Sequence, residues 1–303
     1  MERFPGEPRR QCSWYASLLA AGSVLEASVH PKPGAVTPCA SHGDKSFQDF
    51  VVHAVALREA LEASCHSRGD PLEDGLRAYA ACLRILPLPP GNVGLGTALL
   101  LIPLAAALPR LGPCDAALLT AEASRVALEA GAGAARAYYD LLQSLSPRHL
   151  GRYEGPVPGV GEGYPASFSD VLRAARWDLV HSELLNSYPA TREALEELET
   201  LRAGGWGLGE AAARVLLSIL ARRGDTLIAA RWGLRAYQRS MEEARVALTL
   251  YEKGRLTLRE ALEWLDSKWR PRGWSPGAAL DILAASLGLL LAREVEACAP
   301  RAV

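Results

Sequence analysis

The chain has 303 residues, of which 49% are hydrophobic and 22% charged, and its formal net charge is -1. This composition is typical of a globular protein and excludes an intrinsically disordered chain. Because the charge is balanced, no overall basic field attracts nucleic acid or an anionic membrane surface. We therefore expect neither partner and look for a ligand site within the fold.

The cysteines, the start of the chain and the most apolar run together predict a cytoplasmic protein. None of the six cysteines has C-x-x-C or zinc-finger spacing, so we expect no structural zinc and mostly small, buried, reduced side chains. Residues 1–10 lack the apolar core of a signal peptide. The run from Val93 to Leu108 is shorter than the roughly 20 residues that span a bilayer and contains Pro103, so a buried helix is predicted.

Helical patterns follow one another along almost the whole chain, and no alternating segment is long enough to build a sheet. Ser46 with Asp49, and Thr257 with Glu260, form capping boxes that each open a helix. The predicted helices cover residues 13–28, 46–66, 70–86, 94–108, 115–130, 132–145, 170–186, 191–203, 208–223, 226–250, 258–269 and 276–298. The sequence therefore predicts an all-α fold, a single large multi-helix bundle over residues 1–303.

The longest irregular segment is rich in glycine and proline and extends from Ser146 to Ser169. Structureless loops of this length are uncommon inside compact domains, and many that occur are lids or binding loops. The composition does not change across the segment. We therefore interpret it as a lid over a site and not as a linker between domains.

A polar segment interrupts the apolar pattern directly after the first helix. Pro31 and Pro33 fix φ on both sides of Lys32, and Gly34 permits conformations that other residues resist. Such a rigid turn would aim the lysine ammonium at a phosphate group. A helix-ending turn with a solvated lysine is the alternative, and the spacing alone favours it.

An acidic loop follows. His42, Asp44 and Asp49 lie within one loop and one helical turn, and His53 shares a helix face with Asp49. Carboxylates in such a group hold Mg²⁺ or act as a general base. A surface loop with a capping aspartate explains the same residues, and for Asp49 the cap is favoured.

The next candidate for a ligand-binding segment is a glycine-rich helix start. Gly91, Gly94 and Gly96 precede a helix that carries Thr97 in its first turn. Backbone N–H groups at a helix start bind anions without any charged side chain. The spacing matches neither the P-loop nor the dinucleotide fingerprint, so a tight turn between helices remains an alternative.

Three further segments place polar residues within apolar patterns: Asp178, His181 and Glu183 in the first, Asp225, Thr226 and Arg231 in the second, and Asp281 in the third. Asp281 lies one turn into a strongly apolar helix. Because ionised carboxylates are rarely buried without a partner, we expect Asp281 either to face a ligand or to form a structural salt bridge.

These segments occur in a fixed order: LEAS-x-x-PKPG, the acidic loop, GN-x-x-LGT-x-LLL-x-PLA, D-x-x-x-x-E, DTLIA-x-R and SPG-x-x-x-D-x-L-A. In this order they resemble the triphosphoribosyl-dephospho-CoA synthase family, over about residues 18–292. The resemblance implies an all-α transferase that uses ATP, dephospho-CoA and Mg²⁺. In the implied reaction the 2′-hydroxyl of dephospho-CoA attacks the anomeric carbon of the ATP ribose and adenine departs, which gives 2′-(5″-triphosphoribosyl)-3′-dephospho-CoA.

The resemblance also implies roles for individual residues. Those implied for nucleotide and phosphate binding are Lys32, Gly34, Asn92, Gly96, Thr97, Thr226, Arg231 and Ser275. Those implied for Mg²⁺ are Asp178, Glu183, Asp225 and Asp281. A carboxylate must also accept the proton of the attacking hydroxyl next to an oxocarbenium-like state, and we predict that Asp44, in an H-x-D pattern with His42, is this catalytic group.

The chain departs from the family pattern at three places. Thr37 replaces an aspartate, Lys45 replaces a methionine, and an N-T-H-K-G segment reads Asn92-Val93-Gly94-Leu95-Gly96. These departures indicate a divergent, archaeal-type branch and keep two other functions open. One is a catalytically silent nucleotide-binding or helical interaction protein, and the other is a hydrolase that cleaves a nucleotide's glycosidic bond with water. A homodimer also remains open.

Overall fold

The computed structural model describes residues 8–43, 45–89, 91, 93–145 and 155–298. These residues contain fourteen α-helices, one 3-10 helix at Arg270–Arg272 and two isolated β-bridges, so the predicted all-α fold is confirmed. The helices are α1 (Pro8–Ser28), α2 (Phe47–Cys65), α3 (Pro71–Ile85), α4 (Leu95–Leu111), α5 (Ala116–Glu129), α6 (Ala132–Leu145), α7 (Phe168–Ala174), α8 (Leu179–Leu185), α9 (Pro189–Ala203), α10 (Leu208–Arg223), α11 (Thr226–Trp232), α12 (Leu234–Glu252), α13 (Leu258–Trp269) and α14 (Gly277–Val295).

The core is built around α4 and α14. Both helices are strongly apolar, and α4 is buried from Thr97 to Leu108, while α14 is buried from Ile282 to Leu290. Such helices require neighbours all round, and α14 packs against α1, α4, α9 and α10. The predicted buried helix is therefore confirmed. No helix in the described part of the chain is long and apolar enough to cross a membrane.

Helices α1 and α14 run antiparallel with their backbones in contact. The Tyr15 hydroxyl donates to Glu296 at one end of the pair. Further along, a Cβ on Gly22 would overlap the backbone of Gly288, and a Cβ on Gly288 would lie 3.0 Å from the Cα of Leu19. This close crossing brings the last turns of α1 beside the first turns of α14.

Four of the six cysteines form disulfides, which corrects the expectation of reduced, unpaired side chains. Cys12–Cys65 joins the start of α1 to the end of α2, and Cys114–Cys298 joins the residues before α5 to those after α14. The paired residues are 53 and 184 positions apart, so only the packing of the helices brings them together. Disulfides are rare in cytosolic proteins other than those of hyperthermophiles.

Two predicted helices are each divided in two. The helix predicted over 170–186 becomes α7 and α8, because Asp178 caps a new helix by accepting hydrogen bonds from the N–H groups of Val180 and His181. The helix predicted over 226–250 becomes α11 and α12, because Gly233 adopts a φ of 84° that is incompatible with a continuous helix.

The turn after α1 is buried, and this corrects both interpretations of Lys32. The Lys32 side chain is 2% exposed, and its ammonium forms an ion pair of 2.6 Å with the buried Glu26 carboxylate. It also donates to the Glu26 carbonyl oxygen at 2.9 Å. The lysine is thus neither solvated nor directed at a ligand, since its charge is used to close the end of α1.

Gly34 joins this turn to the C-terminal part of the chain. It has a φ of +65°, and a Cβ would overlap the carbonyl oxygen of Trp274. The Gly34 N–H donates to Asp266 at 2.7 Å, and Arg270 donates to the carbonyl oxygen of Ala35. Glycine is therefore required here by a backbone contact, which explains the residue without the predicted nucleotide contact.

The described part of the glycine- and proline-rich segment rests on α6. The Tyr139 hydroxyl donates to the carbonyl oxygen of Pro158, and the Tyr164 hydroxyl donates to Asp140, each at 2.8 Å. Residues 146–154 of the predicted lid lie outside the described residues. The lid interpretation stays a prediction.

We predict that the disulfides raise the free energy of unfolding. Removal of a native disulfide typically costs about 2–5 kcal/mol. Cys114→Ser should therefore lower the melting temperature without reductant, whereas Cys82→Ser, at an unpaired cysteine, should not. Adding a phosphine reductant should lower the melting temperature of the wild type more than that of a Cys12→Ser/Cys114→Ser variant, and equal shifts would contradict the assignment.

We also predict that Lys32→Ala destabilises the fold. It leaves the buried Glu26 carboxylate without its partner, and breaking a buried ion pair in this way costs about 3–5 kcal/mol. Denaturant unfolding measures the effect, with Lys253→Ala at an exposed position as the control. The double variant Glu26→Gln/Lys32→Met should recover much of the loss. If the Lys32→Ala protein is as stable as the wild type, the structural assignment is wrong and Lys32 is again a candidate for ligand binding.

Candidate functional site

The candidate residues meet where the first turns of α4, α8, α11 and α14 converge. Three hydrogen bonds link these helix starts in series, from Thr97 to Asp281, from the N–H of Ala279 to Asp225, and from Thr226 to Asp178. Each helix start carries partial positive charge, which favours the carboxylates gathered there. The sequence could list these aspartates but could not place them together.

Asp281 faces the start of α4. The Thr97 hydroxyl donates to its Oδ1 at 2.5 Å. The other oxygen, Oδ2, lies against Gly96, where any Cβ would overlap it. No described residue forms an ion pair with Asp281 or donates a hydrogen bond to Oδ2. The structural salt bridge considered from the sequence is therefore not found among the described residues.

The carboxylates around Asp281 perturb one another. Burial raises the pKa of Asp281 to about 8, and the charges of Glu26, Asp225 and Asp178 add to the effect, while the hydrogen bond from Thr97 opposes it. Burial likewise raises the pKa of Asp225 to about 7, with the charge of Asp178 as a further cause. A bound cation would relieve this repulsion.

Asp225 is fully buried and has both oxygens occupied. Oδ1 accepts the N–H of Ile228 and caps α11, whereas Oδ2 accepts the N–H of Ala279 in the first turn of α14, at 2.8 Å. One carboxylate therefore fixes two helix starts. Because Asp225 is fully buried and holds two helix starts, we assign its contribution to a ligand to its charge.

Asp178 caps α8 and contacts α11. The Thr226 hydroxyl donates to Asp178 Oδ2 at 2.9 Å and accepts the N–H of Leu179 at 3.0 Å. Burial acts to raise the pKa of Asp178, but hydrogen bonds and charge from His181 outweigh it and hold the pKa below its ordinary value. Asp178 therefore stays ionised, whereas Asp225 and Asp281 titrate near neutral pH.

Glu183, which was predicted to bind metal, is used by the fold instead. Its Oε1 accepts the N–H of Ala190 at 2.9 Å, and its Oε2 accepts the N–H of Thr191 at 2.7 Å. Both oxygens therefore cap the first turn of α9 in place of a local side chain, and the side chain is 1% exposed. Because the side chain is buried and holds the start of α9, we assign Glu183 a structural role.

Two further predicted binders, Arg231 and Ser275, lie on or next to helices that carry the cluster. Arg231 is exposed in the last turn of α11, about 9 Å along the helix from Asp225 at a rise of 1.5 Å per residue. Ser275 is half-buried just before α14 and follows Trp274, whose carbonyl Gly34 contacts.

Asp44, the predicted base, and Asn92 lie outside the described residues. Lys45, which follows Asp44, and Gly91, which precedes Asn92, nevertheless lie close to each other. His42 and Lys45 form a β-bridge around position 44, with N–O distances of 3.0 and 3.2 Å. The Lys45 ammonium lies 3.8 Å from the position that a Cβ on Gly91 would occupy. The acidic loop and the glycine loop thus border one another, as a shared site requires.

The sequence did not reveal Glu26 or the histidine–tyrosine pairs. Glu26 falls inside the LEAS motif but looks like an ordinary helix-surface residue until the Lys32 ion pair is seen. His53 Nε2 lies 2.6 Å from the hydroxyl of Tyr79, and burial lowers the pKa of His53 to about 4, so the ring is neutral. The tyrosine comes from a different helix, so no local spacing could indicate the pair.

The donor set fits a metal ion that arrives with a nucleotide. In the described ranges, no three His, Cys, Asp or Glu side chains stand close enough together to hold a metal by themselves. Mg²⁺, however, usually keeps several waters and binds through one or two carboxylates together with substrate phosphates. The Asp281 Oδ2 atom, without a described donor, and the ionised Asp178 suit that mode.

Comparison with known proteins supports these motifs. The chain is 28% identical over 298 residues to 2-(5″-triphosphoribosyl)-3′-dephosphocoenzyme-A synthase of Klebsiella pneumoniae, covering 94% of this chain and 96% of that one. A probable synthase of the same name from Pseudomonas syringae pv. tomato is 33% identical over 120 residues, which is 39% of this chain and 41% of that one.

A solved structure shares the fold. It is a provisionally assigned triphosphoribosyl-dephospho-CoA synthase from Archaeoglobus fulgidus, with a TM-score of 0.54 and 18% sequence identity, covering 81% of this chain and 97% of that one. A family model described as ATP:dephospho-CoA triphosphoribosyl transferase matches residues 12–299, which confirms the resemblance carried by the sequence motifs. The chain therefore belongs to the ATP:dephospho-CoA triphosphoribosyl transferase family, CitG.

Proposed function

We propose that this protein transfers the triphosphoribosyl group of ATP to the 2′-hydroxyl of 3′-dephospho-CoA and releases adenine in a Mg²⁺-dependent reaction. The family match over residues 12–299 supports the reaction class. The observation that carries the proposal is the carboxylate cluster of Asp178, Asp225 and Asp281 at converging helix starts. A reaction that binds a metal–triphosphate and develops positive charge on a ribose requires such a cluster.

The charge of the cluster matches the proposed chemistry. Substitution at a ribose anomeric carbon passes through an oxocarbenium-like state, which adjacent anions stabilise. Asp178 is held ionised and provides such an anion. The Mg²⁺ ion, held by Asp281 with Asp178 nearby, would neutralise charge on the triphosphate.

Phosphate oxygens need positive charge and N–H donors, and the structure provides both without Lys32. The start of α4, a helix of 17 residues, carries partial positive charge next to the Gly96–Asp281 contact. Lys45 beside Gly91 and Arg231 at the end of α11 add charge at the edge of the cluster. We assign triphosphate binding to these groups.

Asp44 remains the predicted base. The support for this is that its loop adjoins the glycine loop, through the His42–Lys45 bridge and the Lys45–Gly91 approach. The predicted cytoplasmic location and homodimer stay predictions as well.

The replacement of a family aspartate by Thr37 gives no support to the silent or hydrolytic alternatives. Thr37 is buried, its side-chain oxygen accepts the N–H of Cys39 at 3.2 Å, and its backbone pairs with Ala40. The position therefore belongs to a tight turn in which the threonine has a local structural role.

The proposed reaction predicts that adenine appears only when dephospho-CoA is present. Incubation with ATP, Mg²⁺ and dephospho-CoA, followed by chromatography, should show adenine and the triphosphoribosyl product in equal amounts. Chelation of the metal should abolish both. Adenine release at the same rate without dephospho-CoA would favour the hydrolase instead, and binding of ATP without any release would favour the silent protein.

For Asp281→Asn we predict greater stability together with lost ligand binding. Between its ordinary pKa of 3.8 and its folded pKa of about 8, Asp281 keeps a proton in the folded state that it loses on unfolding. Its contribution to stability therefore falls as the pH rises through this interval. The variant should melt at the wild-type temperature or higher, with a larger difference at pH 8 than at pH 5.

The same variant should lose the thermal stabilisation that Mg-ATP gives the wild type. Asp74→Asn, at an exposed position in the first turn of α3, is the matched control and should retain it. If Asp281→Asn instead lowers the melting temperature at both pH values and keeps the Mg-ATP shift, then Asp281 serves the fold and not the ligand.

A further inference from the structure

The two carboxylate oxygens of Asp178 accept different numbers of hydrogen bonds. Oδ1 accepts three donors, namely the N–H groups of Val180 and His181, each at 3.1 Å, and the His181 Nδ1 at 2.7 Å. Oδ2 accepts a single described donor, the Thr226 hydroxyl. Since a carboxylate oxygen offers about two lone pairs, Oδ1 is saturated and Oδ2 keeps one acceptor site.

The His181 ring is fixed at both ends. Because an ionised carboxylate only accepts hydrogen bonds, the Nδ1 atom that contacts Asp178 must carry a proton. The other ring nitrogen, Nε2, lies 3.1 Å from the Tyr138 hydroxyl, which donates to it in a neutral ring and accepts from it in a protonated ring. Both residues are nearly buried, Tyr138 at 5% and His181 at 9% exposure. The tyrosine on α6 thus determines how the histidine on α8 meets the aspartate.

A comparison with Tyr139, the next residue on α6, shows that the contact between Tyr138 and His181 is more than side-chain packing. Tyr139 is as buried as Tyr138, but its hydroxyl donates to the carbonyl oxygen of Pro158. The Tyr138 ring meets Phe168 edge to face and also lies against the His181 ring, so phenylalanine at 138 would fill the same space. Tyr138→Phe would therefore remove the hydroxyl contact with His181 and keep the ring contacts.

We infer that Tyr138 and His181 are positioning residues that hold Asp178 in a single orientation, with the open side of Oδ2 available to the cation of a metal–nucleotide or to the developing ribosyl cation. Thr226 donates to Oδ2 and directly follows Asp225 in the sequence. Oδ2 is therefore the oxygen of Asp178 that faces the carboxylate cluster. The inference rests on the proposed function, since it identifies the atom of Asp178 that serves that reaction.

Two neighbouring tyrosines provide the matched test. Tyr138→Phe and Tyr139→Phe each remove one buried hydroxyl from α6, and both proteins should unfold at similar temperatures. Outer-shell partners of metal-binding groups typically change affinity or activity by about 10–100-fold. Tyr138→Phe should therefore lower kcat or weaken Mg-ATP binding by roughly 10-fold, whereas Tyr139→Phe should leave both unchanged.

A second pair tests the histidine itself. His181→Ala removes the side-chain donor to Asp178, and we expect a loss toward the upper end of the same roughly 10–100-fold range. His181→Asn retains an N–H donor on a short side chain and should recover part of the loss. Calorimetric affinity for Mg-ATP, measured without dephospho-CoA, is the readout that does not depend on group transfer.

The outcomes distinguish the proposed transfer reaction from the positioning role of Tyr138 and His181. If the wild type binds Mg-ATP but releases no adenine, the proposed transfer fails, while the affinities of the variants still test the positioning role. If the wild type does not bind Mg-ATP at all, both ideas are overturned. If the two tyrosine variants behave alike, or if His181→Ala binds Mg-ATP as the wild type does, the positioning inference is overturned.

Discussion

The double cap made by Asp225 is the interaction on which the site depends. This fully buried carboxylate accepts the N–H of Ile228 in α11 and the N–H of Ala279 in α14. It therefore fixes the start of α11 against the start of the central helix, which in turn sets Thr226 on Asp178 and Asp281 on Thr97. Its burial raises its own pKa, a cost that the two backbone donors only partly offset.

The carboxylates differ in how their charge is balanced. Glu26 has Lys32 as a partner, and Asp178 has His181, whereas Asp281 has a threonine hydroxyl and no described cation. Glu26 is therefore paired within the protein, whereas Asp178 keeps one acceptor site on Oδ2. Asp281 is therefore the position at which an arriving cation would relieve most of the repulsion among the carboxylates.

The fold supplies rigidity around this cluster. At Gly22 and Gly288 the backbones of α1 and α14 are in direct contact, and the Cys12–Cys65 disulfide ties α1 to α2. Cys114–Cys298 ties the end of α14 to the start of α5. Gly34 brings the turn after α1 against Trp274, just before α14 begins. These links keep helix starts from distant parts of the chain in register, which a charged site of this kind requires.

The sequence by itself determined the helical class, the buried central helices and the family, because apolar periodicity, capping residues and ordered motifs are local properties. It also named Asp178, Asp225 and Asp281 as candidate metal ligands, although only the tertiary structure shows that hydrogen bonds link their helix starts. Tertiary structure alone decided that Lys32 is buried against Glu26, that Glu183 caps α9, and that cysteines 53 and 184 residues apart are paired. These outcomes depend on which surfaces the helices bury against each other, and that is set by long-range packing, which no local spacing encodes.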